Sequence, residues 1–233
     1  MADFAPLDVV ALAWFVLGWV GFNAFADHGR WAANGLSAAM AGFRRRWMDE
    51  MLGRDLRMVD TQILATLQHG IGFFASTSIL VVGGLIAVLG AADQAIDALT
   101  DLPFTVNTSR LAWEIKIMLM VTIFVYAFFK FARAFRLTNY FAVLIGAAPA
   151  AIEGNAARAF ADHAAALANL AARHTNRGLR AYFFGLAALG WFLHPAAFMI
   201  TTAWVLAVMY RREFASKALT ALKAAETGIG RAT

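Results

Sequence analysis

Residues 61–90 read TQILATLQHGIGFFASTSILVVGGLIAVLG, an apolar run that decides the class of the chain. Three further runs of similar character cover residues 7–26, 111–131 and 181–210. A helix of about 20 mainly apolar residues, rising ~1.5 Å per residue, crosses the hydrocarbon core of a bilayer. Each run is long enough for one crossing. The sequence therefore predicts an all-α integral membrane helical bundle with four long transmembrane helices.

The composition supports this class and limits the alternatives. Of the 233 residues, 61% are hydrophobic and 15% are charged, whereas about 25% are charged in soluble domains. This length suits a single membrane domain over residues 1–233. The net charge of +5 comes from cations beside the apolar runs, where anionic lipid explains them, so nucleic acid is not an expected partner. The chain has no cysteine, which excludes disulfides and cysteine-ligated metals.

The distribution of cations predicts the topology. Six lie in residues 28–60 and seven in residues 130–180, while residues 91–110 are acidic. The positive-inside rule then places both basic segments on the cytoplasmic side of a bacterial inner membrane and the N-terminus on the outer side. Four crossings leave the tail after Tyr210 outside, although it carries five cations. A short fifth span at residues 137–152 would bring the tail inside, and a re-entrant segment there is the compromise.

Two amphipathic helices are predicted outside the spans, at residues 37–52 and 155–176. In the first, an apolar stripe recurs at steps of three and four residues, opposite the cluster Arg44, Arg45 and Arg46. This pattern suits a helix in the headgroup layer. The cluster either binds an anionic lipid or acidic partner or simply determines the topology. The second helix is expected to pack on the end of the bundle and to be separated from the last span by Gly178.

Two histidines, His69 and His194, fall within predicted spans and raise the hypothesis of a haem or a metal site. Their expected depths differ by roughly 9 Å, which is unfavourable for axial ligation of one haem. We therefore expect each histidine to hydrogen-bond between helices, and we predict neither a cofactor nor a metal. Pro195 is expected to kink the last helix.

Glu114 and Lys116 open the third span near the outer face, beside Trp113. Lysine at this depth can extend to the headgroups, and we favour this interpretation over a polar site inside the bundle. Other polar side chains, including Asn23 and Gln68, are expected to bond between helices. The candidate intramembrane polar site consists of Asn23, Gln68, His69, Glu114, Lys116 and His194.

Several strings resemble a family of uncharacterised membrane proteins, domain of unknown function 599. These strings are Arg45-Arg46-Trp47-Met48, residues 73–80, Lys130-Phe131, Arg136, Asn139-Tyr140, residues 144–147, residues 177–184 and residues 211–214. The resemblance implies a multi-pass membrane protein, usually drawn with four spans, in bacteria and plants and without an assigned activity. It adds interest to Arg136, Asn139, Arg180 and Arg211. The candidate contacts for anionic lipid or a partner are Arg44, Arg45, Arg46, Arg136, Arg180 and Arg211.

Three hypotheses of function follow, in order of preference. The first is a non-enzymatic component of small-molecule or lipid transport. The second is an accessory or assembly subunit of a larger membrane complex, with a membrane-protein partner or a second copy of the chain. The third is a membrane enzyme, which would need a pair such as Glu114 and His194 in a water-accessible pocket. The sequence contains no zinc-protease, phosphate-loop, dinucleotide or nucleophile-elbow motif.

Overall fold

A computed structural model describes residues 6–92, 94, 109–149 and 153–229 of the protein. Its regular elements in these residues are α-helices. Their bounds are α1 Pro6–Asp27, α2 Gly29–Ala32, α3 Leu36–Leu52, α4 Met58–Gly90, α5 Arg110–Gly146, α6 Gly154–Ala188, α7 Gly190–Leu193, α8 Pro195–Phe214 and α9 Lys217–Ile229. Most of the predicted acidic segment at residues 91–110 lies outside the described residues.

Three helices, α1, α4 and α5, are long and apolar enough to cross a membrane. They contain the first three predicted spans. Helix α5 continues past residue 131 to Gly146, so the prediction of a separate fifth or re-entrant segment at residues 137–152 is wrong for the described part of that range. No glycine or proline interrupts residues 131–145, and the helix ends only at Gly146, three residues before Pro149.

The fourth predicted span, at residues 181–210, does not form one helix. Helix α6 runs through Gly178 to Ala188, so the predicted separation at Gly178 is also wrong. The Thr201 hydroxyl donates a hydrogen bond of 2.8 Å to the carbonyl oxygen of Ala187. Fourteen residues of continuous helix would separate these two positions by about 21 Å. The chain therefore turns back on itself, and α8 packs against the end of α6.

The turn depends on Pro195 and Gly190. Proline has no N–H and disfavours the helical conformation of the residue before it, and His194 is extended at φ −160° and ψ 144°. A Cβ atom on Gly190 would lie 2.7 Å from Thr201 Oγ1 and 3.1 Å from the Ala197 carbonyl oxygen, so the close approach requires glycine. The predicted kink at Pro195 is therefore a reversal of the chain.

The chain forms two compact units. Unit 1 contains residues 1–24, 75–129 and 177–209, and unit 2 contains residues 25–74, 130–176 and 210–233. The C-terminal tail belongs to unit 2, as do nearly all residues of both predicted basic segments. The sequence ranges of unit 2 carry 16 of the 20 lysine and arginine residues. Residues 181–210 form two helices joined by a turn, so the chain leaves unit 2 after residue 176 and returns to it at residue 210. This return needs no additional span at residues 137–152.

Aromatic rings fill the core of unit 1. The Phe15 ring lies 5.5 Å from that of Phe184 and 4.9 Å from that of Phe198, which stacks on Trp191 at 5.0 Å. A Cβ at Gly18 would lie 3.0 Å from Leu206, so α1 and α8 approach each other closely there. An added Cβ would meet open space at three other glycines: Gly21, Gly83 and Gly84.

Methionines and alanines pack with larger side chains, including Leu64, Phe141 and Ile145, in the core of unit 2. Met48 and Met51 of α3 pack against Phe141 of α5 and against alanines of α6. These alanines recur at helical spacing, at positions 161, 164, 165 and 168. Helix α3 has nearly the bounds predicted, but part of its apolar side faces protein. Met51 is fully buried and Trp47 packs against this core, while the position of α3 in the headgroup layer stays a prediction.

Candidate functional site

Unit 2 contains two cavities that share part of their walls, each of about 290 Å³. We call the first the apolar cavity, because its wall includes Trp47, Leu67, Ile71, Phe74, Phe141 and Ala168. We call the second the polar cavity, because its wall includes Asp27, Ser37, Asn169 and Arg173. Three residues line both cavities: Arg44, Ala172 and Asn176. Arg44 carries the only charge among these three and is the centre of the candidate site.

Arg44 is half-buried and weakly compensated. Its Nη1 donates a hydrogen bond of 3.1 Å to Asn169 Oδ1. Within the described part of the chain it has no carboxylate partner. Burial lowers the pKa of Arg44 below its ordinary value, but arginine remains protonated in proteins. A half-buried cation that is compensated by one amide favours an anion beside it.

The two arginines that follow Arg44 make different contacts. Consecutive helical residues project about 100° apart, so three in a row cannot share one surface. Arg45 forms ion pairs with Asp49 and Asp162, and its hydrogen bonds to these carboxylates raise the pKa of Arg45. Arg46 lies over the ring of Phe43, 6.0 Å from its centre. The predicted arginine cluster is therefore three separate sites, and only Arg44 of the three lines the two cavities.

A buried carboxylate holds the C-terminal part of α3 in place. Asp60 is 0% exposed, and its Oδ1 accepts hydrogen bonds of 2.6 Å from both Trp47 Nε1 and Arg54 Nη1. A buried carboxylate is stable only when such donors satisfy it. Trp47 is thereby fixed in the wall of the apolar cavity, one helical turn from Arg44.

Side chains from other helices hold the N-terminal part of α3. Glu213 Oε1 accepts a hydrogen bond of 2.9 Å from the Ser37 N–H, which satisfies one of the unpaired donors of the first turn. Asn176 Nδ2 donates to Ser37 Oγ over 3.3 Å. Sequence reasoning missed Asn176. The spacing of Asn169, Arg173 and Asn176 on one face of α6 was the signal that could have identified it.

The six residues of the candidate intramembrane polar site are divided between the units. Asn23, Glu114, Lys116 and His194 belong to unit 1, whereas Gln68 and His69 belong to unit 2. Interhelical hydrogen bonding is confirmed for two of them. Asn23 Oδ1 accepts from Arg180 Nη1 at 3.3 Å, and Gln68 Nε2 donates to Asn139 Oδ1 at 2.7 Å.

The prediction that both histidines bond between helices is wrong. His69 is exposed and has no hydrogen bond with another described residue. His194 is exposed, and its Nδ1 accepts a local hydrogen bond of 3.0 Å from the Ala196 N–H. Glu114 accepts from Arg110 at 3.1 Å rather than pairing with His194. Among the described residues, no group of three or more His, Cys, Asp or Glu side chains is placed to hold a metal.

Lys116 does not extend to the surface, so the favoured interpretation of snorkelling is wrong. Its side chain is buried at 6% exposure, and its Nζ lies 5.9 Å from the centre of the Trp191 ring. Asp8 interacts with it electrostatically and accepts a hydrogen bond of 2.7 Å from Trp191 Nε1. The cation–π contact and the carboxylate compensate for burial of the charge. The alternative of a polar site inside the bundle stays a prediction.

The remaining three candidate arginines differ in their exposure. Arg180 is buried, and its guanidinium lies 5.6 Å from the centre of the Phe22 ring. Arg136 and Arg211 are exposed in unit 2. Their proposed contact with anionic lipid or a partner stays a prediction, since exposure is compatible with either contact.

One family is similar to this chain over most of its length. The sequence model of the family described as "Protein of unknown function, DUF599" matches residues 10–218. No curated protein matches the chain, and no solved structure matches it. The match covers far more than half of the chain and includes α3, α6 and Arg44. The chain therefore belongs to the DUF599 family of proteins of unknown function.

Proposed function

We propose that this protein is a non-enzymatic component of small-molecule or lipid transport that binds its ligand in the paired cavities of unit 2. One observation carries the proposal: Arg44, which lacks a carboxylate partner in the described chain, lines an apolar and a polar cavity at once. Ligand sites in proteins are concave and mainly apolar, and a few polar groups orient the ligand. The two cavities and Arg44 have this composition.

The size and the walls of the cavities support binding of a small molecule. Each cavity of about 290 Å³ is near the lower end of the ~300–1,000 Å³ common for ligand pockets. The wall of the apolar cavity comes from long helices, which hold side chains in place better than loops do. In the Arg44 region the wall is fixed further by the buried Asp60 and by Glu213. A preorganised wall reduces the entropy lost on binding.

The distribution of charge supports a place in the membrane. Helices α1, α4 and α5 have the length and hydropathy of spans. The sequence of unit 2 holds 16 of the 20 cations, and the positive-inside rule assigns such a region to the cytoplasmic side. In this proposal the protein lies in a bacterial inner membrane, and the ligand is exchanged with the cytoplasm or the cytoplasmic leaflet.

A glycine pair provides the test. Gly70 lines the apolar cavity, and a Cβ at Gly70 or at Gly83 would meet open space, so both positions accept a side chain. Both glycines lie on α4, but Gly83 belongs to unit 1. The protein and the variants Gly70→Leu and Gly83→Leu are purified gently from native membranes. Mass spectrometry then records the small molecules, lipids and proteins that copurify.

We expect one class of small molecule to copurify with the unmodified protein and with Gly83→Leu, and to be lost from Gly70→Leu because leucine narrows the cavity. Equal retention by all three proteins would contradict binding in this cavity. A stoichiometric protein partner, with no retained small molecule, would instead favour the accessory or assembly subunit.

A further inference from the structure

The wall of the apolar cavity presents little polarity except near Arg44. Its three threonines donate to carbonyl oxygens of their own helices: Thr66 to Gln62, Thr138 to Ala134 and Thr175 to Ala171. Their hydroxyl hydrogens are therefore used within the helices. Arg44 is the one charged residue in the described wall. A ligand that fills this cavity must be apolar along its length and polar only at the end that reaches Arg44.

The polar cavity offers donors and a positive balance of charge. Its wall holds Arg44 and Arg173 against the single carboxylate of Asp27. Asn169 turns its Oδ1 toward Arg44, which leaves its amide N–H groups as donors. Arginine forks and amide donors are the groups that recognise carboxylates and phosphates.

We infer that the ligand is an anionic amphiphile in which a single acyl chain carries a carboxylate or a phosphate. The chain occupies the apolar cavity, and the anionic head contacts Arg44 and extends into the polar cavity. This inference rests on the proposed function and specifies the class of its ligand. One apolar cavity receives one chain, and one shared arginine fixes the direction in which the chain enters.

Charge excludes the other classes. A cationic amphiphile would place a second positive charge against Arg44, where repulsion is weakly screened because the group is buried. A neutral amphiphile would leave the guanidinium as poorly compensated as it is with Asn169 alone. An anion would accept a charge-assisted hydrogen bond from the Arg44 guanidinium. Such a bond is stronger than one between neutral groups and offsets the cost of burying the charge.

Binding to the full-length protein in phosphatidylcholine nanodiscs tests the inference with four probes. Oleate and oleoyl lysophosphatidic acid represent the two anionic heads, monoolein represents a neutral head, and inorganic phosphate represents a head without a chain. Each is titrated against the unmodified protein, Arg44→Gln and Arg46→Gln. The last variant is the matched control, because it removes the same charge from the same helix at a residue whose contact is the Phe43 ring.

We expect at least one anionic amphiphile to bind and Arg44→Gln to weaken it about 10- to 100-fold, as for loss of a charge-assisted hydrogen bond. Arg46→Gln should change the affinity by less than about twofold. Arg44→Lys, which keeps the charge but loses the fork, should bind with intermediate affinity. It keeps the inference testable if Arg44→Gln fails to fold. Preference for oleate or for lysophosphatidic acid then identifies the head as a carboxylate or a phosphate.

Three results would overturn the inference. Monoolein binding as tightly as the anions, with Arg44→Gln unchanged, would refute an anionic ligand but leave the proposed cavity function intact. Inorganic phosphate binding as tightly as lysophosphatidic acid would show that the chain contributes nothing, and would refute the amphiphile. Absence of binding by every chain-bearing probe, together with empty protein from native membranes, would refute both the inference and the proposed function.

Discussion

Unit 1 and unit 2 bury positive charge in different ways. In unit 1, Lys116 lies beside the Trp191 ring and Asp8, and Arg180 lies over the Phe22 ring with a hydrogen bond to Asn23. In unit 2, Arg44 contacts one amide and lines two cavities. A buried cation–π contact stabilises by up to about 2 kcal/mol, and no ring contact of this kind compensates Arg44 among the described residues. In the proposed account, Lys116 and Arg180 stabilise the fold of unit 1, whereas Arg44 of unit 2 is available to a ligand.

The largest expected effect concerns the buried carboxylate that fixes the wall of the cavity. Asp60→Ala removes the acceptor of both Trp47 and Arg54 and should lower the free energy of unfolding by about 3 kcal/mol, because both donors then lose a charge-assisted hydrogen bond. Thermal unfolding in mild detergent measures the change.

Asp49→Ala is the control for this variant. It removes a carboxylate whose side chain is 52% exposed in its pair with Arg45, and it should change the free energy of unfolding by less than about 1 kcal/mol. Equal destabilisation by the two variants would show that Asp60 does not hold unit 2 in the manner described.

The next effect concerns the turn in unit 1. Gly190→Ala places a Cβ 2.7 Å from Thr201 Oγ1 and 3.1 Å from a backbone oxygen that cannot easily move. We expect a loss of about 2 kcal/mol, as for overpacking of a core. Gly83→Ala is the control, because it meets open space within a helix and should be neutral or stabilising. Unchanged stability of Gly190→Ala, measured by thermal unfolding in the same detergent, would refute the close packing of α6 and α8.

The smallest effect compares Arg180, which is buried, with Arg44, which is half-buried. Arg180→Met leaves Asn23 without its donor and should cost about 1–2 kcal/mol of unfolding free energy. Arg44→Met removes a weakly compensated charge, so in ligand-free protein it should be about neutral within 1 kcal/mol. Thermal unfolding of ligand-free protein compares them. The distinction between the units would be lost if Arg44→Met were the more damaging variant.

The sequence predicted the elements that depend on length and periodicity alone. The helices α1, α3 and α4 match the predicted bounds within about three residues, because a long apolar run or an amphipathic repeat determines them locally. The sequence did not predict that the chain reverses its direction at residues 189–195. Pro195 indicates an interruption, but the reversal depends on the Thr201 contact with Ala187 and on the space at Gly190.

The candidate site was predictable only in its residue types. Three consecutive arginines looked like one charged surface, and their separation depends on which side of α3 packs on α6. The burial of Lys116 depends on Trp191 and Asp8, which are far from it in the sequence. Cavities are absences of side chains between helices, so no local pattern encodes them.

A crystal structure of the protein purified gently from its native membrane would test the central claim most directly, because it shows what lies against Arg44. The account predicts elongated density along the apolar cavity, ending in a compact head within hydrogen-bond distance of the Arg44 guanidinium. Cavities that are closed by side chains, or that hold only ordered water beside Arg44, would contradict it.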